Sequence, residues 1–214
     1  MFKRILVTVY LALAFATCFA QEAWKPAVDK EGIRIYTRHI PNSKLKAIKV
    51  ECELKVRASQ LVRVIMDIEH SEGWVYHSKN AYVVKQVSPS ELYYYSEVSV
   101  PWPAQNRDYI SHIMVSQDPK TKVITIDAPC IADMVPAKPG IVRISNSAGK
   151  WTIAPLNNNT LKVEYQLAVD PAGSIPAWLV NLFATDGPLK TFERLKLHLQ
   201  KPEYKNVKLA FIED

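Results

Sequence analysis

The sequence predicts an α+β fold in which a many-stranded antiparallel sheet is covered by one long C-terminal helix. Runs of alternating or β-branched residues, separated by short turns, fill most of residues 81–169, and short connections imply antiparallel neighbours. Apolar residues then recur at spacings of three and four over residues 174–200, which is typical of an amphipathic helix. The length of 214 residues, with 48% hydrophobic and 22% charged residues, suits one ordered globular domain.

The first twenty residues are predicted to be a secretory signal peptide. Lys3 and Arg4 precede a short apolar run at residues 5–16, and small residues stand before a cleavage site after Ala20. Two alternatives are a membrane anchor, since 17 residues without charge approach the short limit for a spanning helix, and a lipoprotein modified at Cys18. We therefore expect a signal peptide at 1–20, a single domain at 21–214, and export to the periplasm or the extracellular space.

The charge of the chain argues against nucleic acid as a partner. Removal of the leader takes away Lys3 and Arg4 and lowers the formal net charge from +6 to +4. The remaining basic residues are scattered among acidic ones, whereas nucleic-acid binding needs a clustered basic surface. Only 6 glycines occur in the whole chain, which leaves little room for a nucleotide-binding loop.

Elements of both types are predicted before the main part of the sheet. Residues 24–30 form an amphipathic opening segment, and residues 32–38 and 45–56 alternate as half-buried strands do. Ser59 is expected to be the N-cap of a helix, because apolar residues follow it at helical spacing over residues 61–68. An irregular region that carries Trp74 comes next.

The rest of the chain reads as strands followed by the long helix. The predicted strands are residues 81–87, 91–100, 107–117, 122–128, 141–147, 149–155 and 161–169. Residues 157–159 are predicted to form a hairpin turn. Gly187-Pro188 interrupts the helical pattern and is expected to kink or split the helix. The tail after Lys201 is polar, with a weak strand pattern at residues 207–212.

Sequence motifs for metal binding and catalysis are absent. The chain has no G-x-S-x-G, P-loop, G-x-G-x-x-G or H-E-x-x-H motif, and without a C-x-x-C pair no zinc site of the usual spacing is expected. His70, Glu72 and His77 lie close together, but a solvated loop is favoured over a metal site. Cys52 and Cys130 are compatible either with a disulfide or with two buried thiols. No catalytic residue, metal or cofactor is predicted.

Two arginines stand at unusual positions within predicted strands. If Arg107 points inward, as Tyr109 then does, it needs an anionic partner or a ligand. An ion pair with Asp108 or Glu97 explains it as well as ligand contact does. Arg143 raises the same question.

Several segments together resemble the StAR-related lipid-transfer (START) domain family. Residues 100–103 (VPWP) followed by 106–109 (NRDY) resemble the family's P-x-P and N-R-D segment, and Trp74 sits where the family has a tryptophan. Further on, residues 142–143, 151–155 and 169–181 resemble its last two strands and the entry to its last helix. The resemblance, which includes the early strand segment at residues 44–51, covers about residues 24–200.

The resemblance implies a helix-grip fold, in which a curved antiparallel sheet wraps around the long C-terminal helix and encloses a hydrophobic tunnel. It also implies that a single lipid or sterol binds in the tunnel, with the helix and nearby loops as a lid. The expected partners are this small hydrophobic ligand and, transiently, a membrane surface, with the protein a monomer. The leader departs from the cytosolic members of the family and suggests a bacterial envelope protein. The ligand contacts that we expect are Arg107 and Arg143 for the head group, Tyr109 and Trp151 along the tunnel, and Trp178, Leu182 and Phe183 in the lid.

Two other functions fit the same sequence. One is a cyclase-like enzyme of the wider helix-grip superfamily that acts on a bound hydrophobic substrate, with His112 or Glu164 as the acid–base group. It requires a titratable group with a perturbed pKa facing the cavity, whereas a carrier requires mostly apolar walls. The other is a protein–protein interaction module with a filled core and no tunnel.

Overall fold

Ten strands of the described chain form one continuous sheet. The computed structural model describes residues 23–40, 46–157, 159–170, 172–173, 179 and 182–214, although not the side chains of Lys46 and Leu182. In chain order the strands are β1 (Lys25–Lys30), β2 (Ile33–His39), β3 (Lys46–Leu54), β4 (Ser78–Ser88), β5 (Glu91–Val98), β6 (Asn106–Gln117), β7 (Ile124–Pro129), β8 (Ile141–Arg143), β9 (Asn146–Pro155) and β10 (Leu161–Asp170).

The strands are ordered β1-β2-β3-β10-β9-β7-β6-β5-β4, and every neighbouring pair in this order is antiparallel, as predicted. The short strand β8 lies off this path and pairs with the start of β6 in parallel, with Asp108 opposite Arg143. A parallel pair requires a longer connection than a hairpin. The turn through β7 and residues 130–140 supplies it.

Helices occur at two places along the described chain, between β3 and β4 and after β10. They are α1 (Ala58–Met66), which a 3₁₀-helix (Ile68–Gly73) follows, then α2 (Gly187–His198) and α3 (Pro202–Lys205). A π-helical segment (Leu182–Asp186) leads directly into α2. None of the described residues forms a helix long and apolar enough to cross a membrane.

Gly187-Pro188 marks the change from π-helix to α-helix, which agrees with the predicted interruption. Pro188 lies in the first turn of α2, where a missing N–H leaves no hydrogen bond unmade.

The amphipathic opening segment at residues 24–30 contains an exposed edge strand, β1. Two local predictions are wrong. The weak pattern at residues 207–212 forms turns instead of a strand. Ser59 is not the N-cap, because α1 begins at Ala58. Instead, the Asp214 carboxylate accepts a hydrogen bond from the Ser59 backbone N–H at 2.7 Å. The C-terminal residue of the chain therefore satisfies one of the free N–H groups at the start of α1.

The core lies between one face of the sheet and helices α1 and α2. Alternate residues of each strand point to this face, as the period of two requires. The helices contribute Leu61, Val62 and Ile65 from α1 and Phe192 and Leu195 from α2, all buried, and the buried Leu199 follows α2 directly. The structure therefore confirms the predicted α+β fold, a curved sheet packed around a C-terminal helix.

Candidate functional site

An internal cavity of about 240 Å³ lies between the core face of the sheet and α2. Strands β6, β7, β9 and β10 supply the largest part of its wall, and residues of β3, β5, α1, the 3₁₀-helix and the first turns of α2 add to it. Because side chains alternate along β6, Tyr109, Ser111 and Ile113 face the cavity together. The same alternation places Tyr165, Leu167 and Val169 of β10 on this side; the other apolar wall residues include Ile48, Ile65, Ile68, Val75, Val98, Ile126, Ala128 and Ile144.

Aromatic rings form one side of the cavity. The Trp151 ring lies 5.4 Å from the Phe192 ring of α2 and 4.5 Å from the Tyr165 ring, centroid to centroid. Trp74 meets Trp151 edge to face at 6.4 Å. These rings join the sheet, the 3₁₀-helix and α2 into one continuous apolar surface.

The polar lining combines serine and threonine hydroxyls with a group of tyrosine hydroxyls. Tyr94 Oη donates to Tyr109 Oη at 3.4 Å, and the hydroxyl of Tyr165 and the thiol of Cys130 lie close enough to affect the pKa values of these phenols. Burial raises the pKa of Tyr94, Tyr109 and Tyr165 above the ordinary value for tyrosine. We call Tyr94, Tyr109, Tyr165 and Cys130 the hydroxyl cluster; its members are uncharged at neutral pH.

Trp74 has an unsatisfied hydrogen-bond donor. Its indole Nε1 is buried and has no acceptor among the described residues. Trp74 also lines the cavity. Burying an N–H without a partner costs about 1–3 kcal/mol, so an acceptor that reached this atom would be favoured.

The two arginines are absent from the described cavity wall. The alternation of side chains along β6 places Arg107 on the same face as Tyr109, and Arg107 is 2% exposed. Its Nη1 donates to the Gln105 carbonyl oxygen. Arg143 lies on the opposite face of the sheet, where it pairs with Asp108. The structure therefore brings neither guanidinium together with Tyr109 and Trp151, which do line the cavity.

Behind the sheet, a buried network surrounds the carboxylates of Glu97 and Asp108. Tyr95 Oη lies 2.8 Å from Glu97 and 3.1 Å from Asp108, and Lys138 Nζ donates to Glu97 at 2.8 Å. Burial by itself would raise the pKa of Glu97, but hydrogen bonds from Lys138, Tyr95 and Asn80 outweigh it and lower that pKa to about 2. The network fixes residues 130–143 against β5 and β6.

Of the three residues expected in the lid, Phe183 lines the cavity, beside Gly187 and Pro188. Trp178 and the side chain of Leu182 lie outside the described residues.

The acid–base candidates of the enzyme alternative point away from the cavity wall. His112 Nε2 donates a hydrogen bond to Glu91 Oε1 at 2.7 Å, and its ring stacks on Tyr93, on the opposite face of β6. Glu164 accepts a hydrogen bond from Gln166 on the outer face of β10.

The described thiols and acidic or histidine side chains form no metal site. Cys52 and Cys130 are both free thiols, and burial raises the pKa of Cys52 to about 11. His70 hydrogen-bonds to Asp67. In the described part of the chain no three His, Cys, Asp or Glu side chains converge.

Sequence reasoning missed Trp74, Tyr94 and Tyr165 as cavity residues. In the Tyr93-Tyr94-Tyr95 run every position is aromatic, so the sequence pattern does not show which face of the sheet Tyr94 occupies. The pairing of β5 with β6 shows it, because Tyr94 is opposite Ser111, which lines the cavity. Tyr165 follows two residues after the buried Val163, and that spacing is the signal that could have found it.

Comparison with known proteins gives consistent matches. A model of the START domain matches residues 11–205. A Pseudomonas aeruginosa protein of uncharacterised function is 30% identical over 182 residues, which cover 84% of this chain and 88% of that protein. Mouse phosphatidylcholine transfer protein is 28% identical over 169 residues, which cover 77% and 78% respectively.

A solved structure has the same fold. The StAR-related lipid transfer protein of Xanthomonas axonopodis (fragment 25–204) superposes with a TM-score of 0.76 at 32% sequence identity. The match covers 83% of this chain and 99% of that fragment.

Proposed function

Because this chain belongs to the START domain family, we propose that it binds one lipid or similar hydrophobic molecule in its cavity and carries it between membranes. The observation that carries the proposal is the largely apolar cavity of about 240 Å³ between the sheet and α2. An interaction module would fill this space with side chains. The aromatic and aliphatic wall is the surface that a hydrocarbon requires.

The energetics favour a carried ligand over one free in water. Each buried methylene contributes about 0.8 kcal/mol, so a chain of several methylenes gains enough to offset its lost freedom. Mouse phosphatidylcholine transfer protein, to judge by its name, moves a phospholipid. For the present chain we propose the broader class, a lipid, a sterol or another hydrophobic ligand. Tyr109, Trp151 and Phe183 would contact it.

A carrier must reach a membrane surface, and Trp102 offers a point of contact. Its side chain is 91% exposed between Pro101 and Pro103, in the loop that joins β5 to β6. Tryptophan is favoured at the interface between water and lipid because one part of it is apolar and the other polar. We propose transient membrane binding by a monomer through this loop.

We also propose that the protein is exported and that residues 21–214 form its single lipid-binding domain. Lys3, Arg4 and the apolar run at residues 5–16 support this part of the proposal. Terminal sequencing of the protein from its native host should find an N-terminus near Gln21. A soluble protein that retains Met1 would contradict export by this route.

The central experiment measures cargo and its transfer. Native mass spectrometry of the purified residues 21–214, followed by lipid extraction, should show one bound lipid per chain. The protein should then speed the movement of that lipid from donor to acceptor vesicles.

A pair of substitutions on one strand makes this test specific. Ala128→Phe should fill the cavity and abolish loading, since Ala128 lines it. Thr125→Phe places the same ring on the opposite face of β7 and should leave loading intact. Equal loading of both variants, or no bound lipid in the parent, would reject the proposed function.

A further inference from the structure

We propose that the cavity selects a lipid whose polar end is a single uncharged hydroxyl or carbonyl group, and that the hydroxyl cluster receives this group. The inference rests on the proposed function and narrows its ligand class. It excludes lipids whose head groups carry a permanent charge.

The first argument is the charge of the cavity wall. Among the described residues that line the cavity there is no Asp, Glu, Lys, Arg or His. A charged group that entered this wall would lose its hydration without gaining an opposite charge, and that loss is large.

The second argument is the chemistry of the hydroxyl cluster. Tyr94 and Tyr109 are already joined by a hydrogen bond of 3.4 Å, while the Tyr165 hydroxyl makes no hydrogen bond within the described residues. A phenol both donates and accepts. The Tyr165 hydroxyl is therefore available for a hydrogen bond to a ligand. An alcohol could donate to it or accept from it, and a carbonyl could accept from it.

Trp74 adds a donor on the same cavity wall. Its indole N–H has no acceptor among the described residues, and tryptophan can only donate. An oxygen atom with a lone pair is the group that this N–H lacks. A hydroxyl or carbonyl oxygen provides one without bringing a charge.

A phospholipid head group fits these features poorly. Aromatic rings can hold a quaternary ammonium group, but such a head group also brings a phosphate. Neither Arg107 nor Arg143 belongs to the described wall, and Arg143 is already paired with Asp108.

Four probes that share a hexadecyl chain test the inference on delipidated protein. They are hexadecan-1-ol, hexadecane, hexadecyl sulfate and hexadecyltrimethylammonium; the two charged probes are used below their critical micelle concentrations, and the two neutral probes below their solubility limits. Binding is followed by tryptophan fluorescence, because Trp74 and Trp151 line the cavity. We expect the alcohol to bind about tenfold or more tightly than either charged probe and more tightly than the alkane.

A tyrosine variant identifies the group that makes the distinction. Tyr165→Phe keeps the ring and removes the hydroxyl, so it should reduce the advantage of hexadecan-1-ol over hexadecane by about tenfold. Tyr93→Phe is the matched control, since Tyr93 stacks on His112 on the opposite face of the sheet and should change nothing. If Tyr165→Phe does not fold, Tyr109→Phe takes its place.

The outcomes separate the two proposals. Tighter binding of the sulfate or the ammonium probe, or equal binding of all four, would overturn the inference and leave lipid carriage standing. An unchanged preference in both the Tyr165 and Tyr109 variants would overturn the role of the hydroxyl cluster. Failure of every probe to bind, hexadecane included, would reject the proposed function together with the inference.

Discussion

Arg143 forms a bidentate ion pair with Asp108, in which Nε donates to Oδ1 at 2.7 Å and Nη2 donates to Oδ2 at 3.1 Å. The two residues are direct partners in the parallel register of β8 and β6. Asp108 is 1% exposed, so its buried carboxylate needs a positively charged partner, and Arg143 is that partner. Arg143 therefore holds the short strand β8 in place, on the side of the sheet away from the cavity.

Replacement of Arg143 should weaken folding without changing ligand choice. Arg143→Leu leaves Asp108 buried without its cation, and we expect a loss of about 3–5 kcal/mol in the free energy of unfolding. Arg34→Leu is the control: Arg34 is half exposed and 3.5 Å from Glu51, so the loss should stay below about 1 kcal/mol. Denaturant unfolding measures both values. A stable Arg143 variant with altered ligand preference would show that Arg143 contacts ligand after all.

Arg107 is also expected to act in folding. Arg107→Leu removes a hydrogen bond from a charged donor to the Gln105 carbonyl, and the loss of such a bond costs about 1.5–3 kcal/mol. Thermal unfolding should show this loss, while the order of affinity among lipid probes stays as in the parent. Arg107→Lys, which retains the charge, should recover part of the stability. If ligand preference changed while stability did not, Arg107 would be the head-group contact that the sequence suggested.

Glu97 should make the stability of the protein depend on acidic pH. Its pKa is lowered from 4.5 to about 2 in the folded protein, so the unfolded chain binds the proton more readily. The stabilisation is therefore complete above about pH 4.5 and is lost as the pH falls toward 2, with a total of about 3 kcal/mol. In Glu97→Gln the fall in melting temperature over this window should be smaller. Glu53→Gln, at an exposed position of β3, should keep the fall of the parent.

Trp102 should contribute to membrane binding and not to folding. Trp102→Ala removes an exposed aromatic side chain, so we expect an unchanged melting temperature and vesicle binding weakened by about tenfold. Leu197→Ala is the control, because Leu197 is also largely exposed but belongs to α2. Cosedimentation with vesicles gives both affinities. Equal losses in the two variants would place the membrane contact elsewhere or spread it over the surface.

The local elements could be predicted from the sequence because their signals are local. The alternation over residues 107–117 and 161–169 predicts the ends of β6 and β10 to within a residue. The Gly187-Pro188 pair likewise predicts the break before α2 from the sequence alone. The face of each strand follows from the same period. This is why Tyr109 was a sound candidate for the cavity wall.

Non-local pairing was the part that periodicity could not supply. β8 spans three residues, and its parallel register with β6 depends on the path of residues 130–140. The role expected for Arg143 depended on this register, because the sequence does not say which carboxylate lies opposite. Asp214 at the start of α1 is a similar case, since 155 residues separate it from Ser59.

The outer strands of the sheet, β1 and β4, bear on how the protein behaves at high concentration. β1 carries Pro26 and a shift of register beside it, and lysines stand at both of its ends. β4 departs from regular pairing with β5 at three places. An irregular or charged border is a poor template for a further strand. Growth of the sheet from one molecule into the next is therefore disfavoured, and the protein can keep its large sheet in solution without polymerising along it.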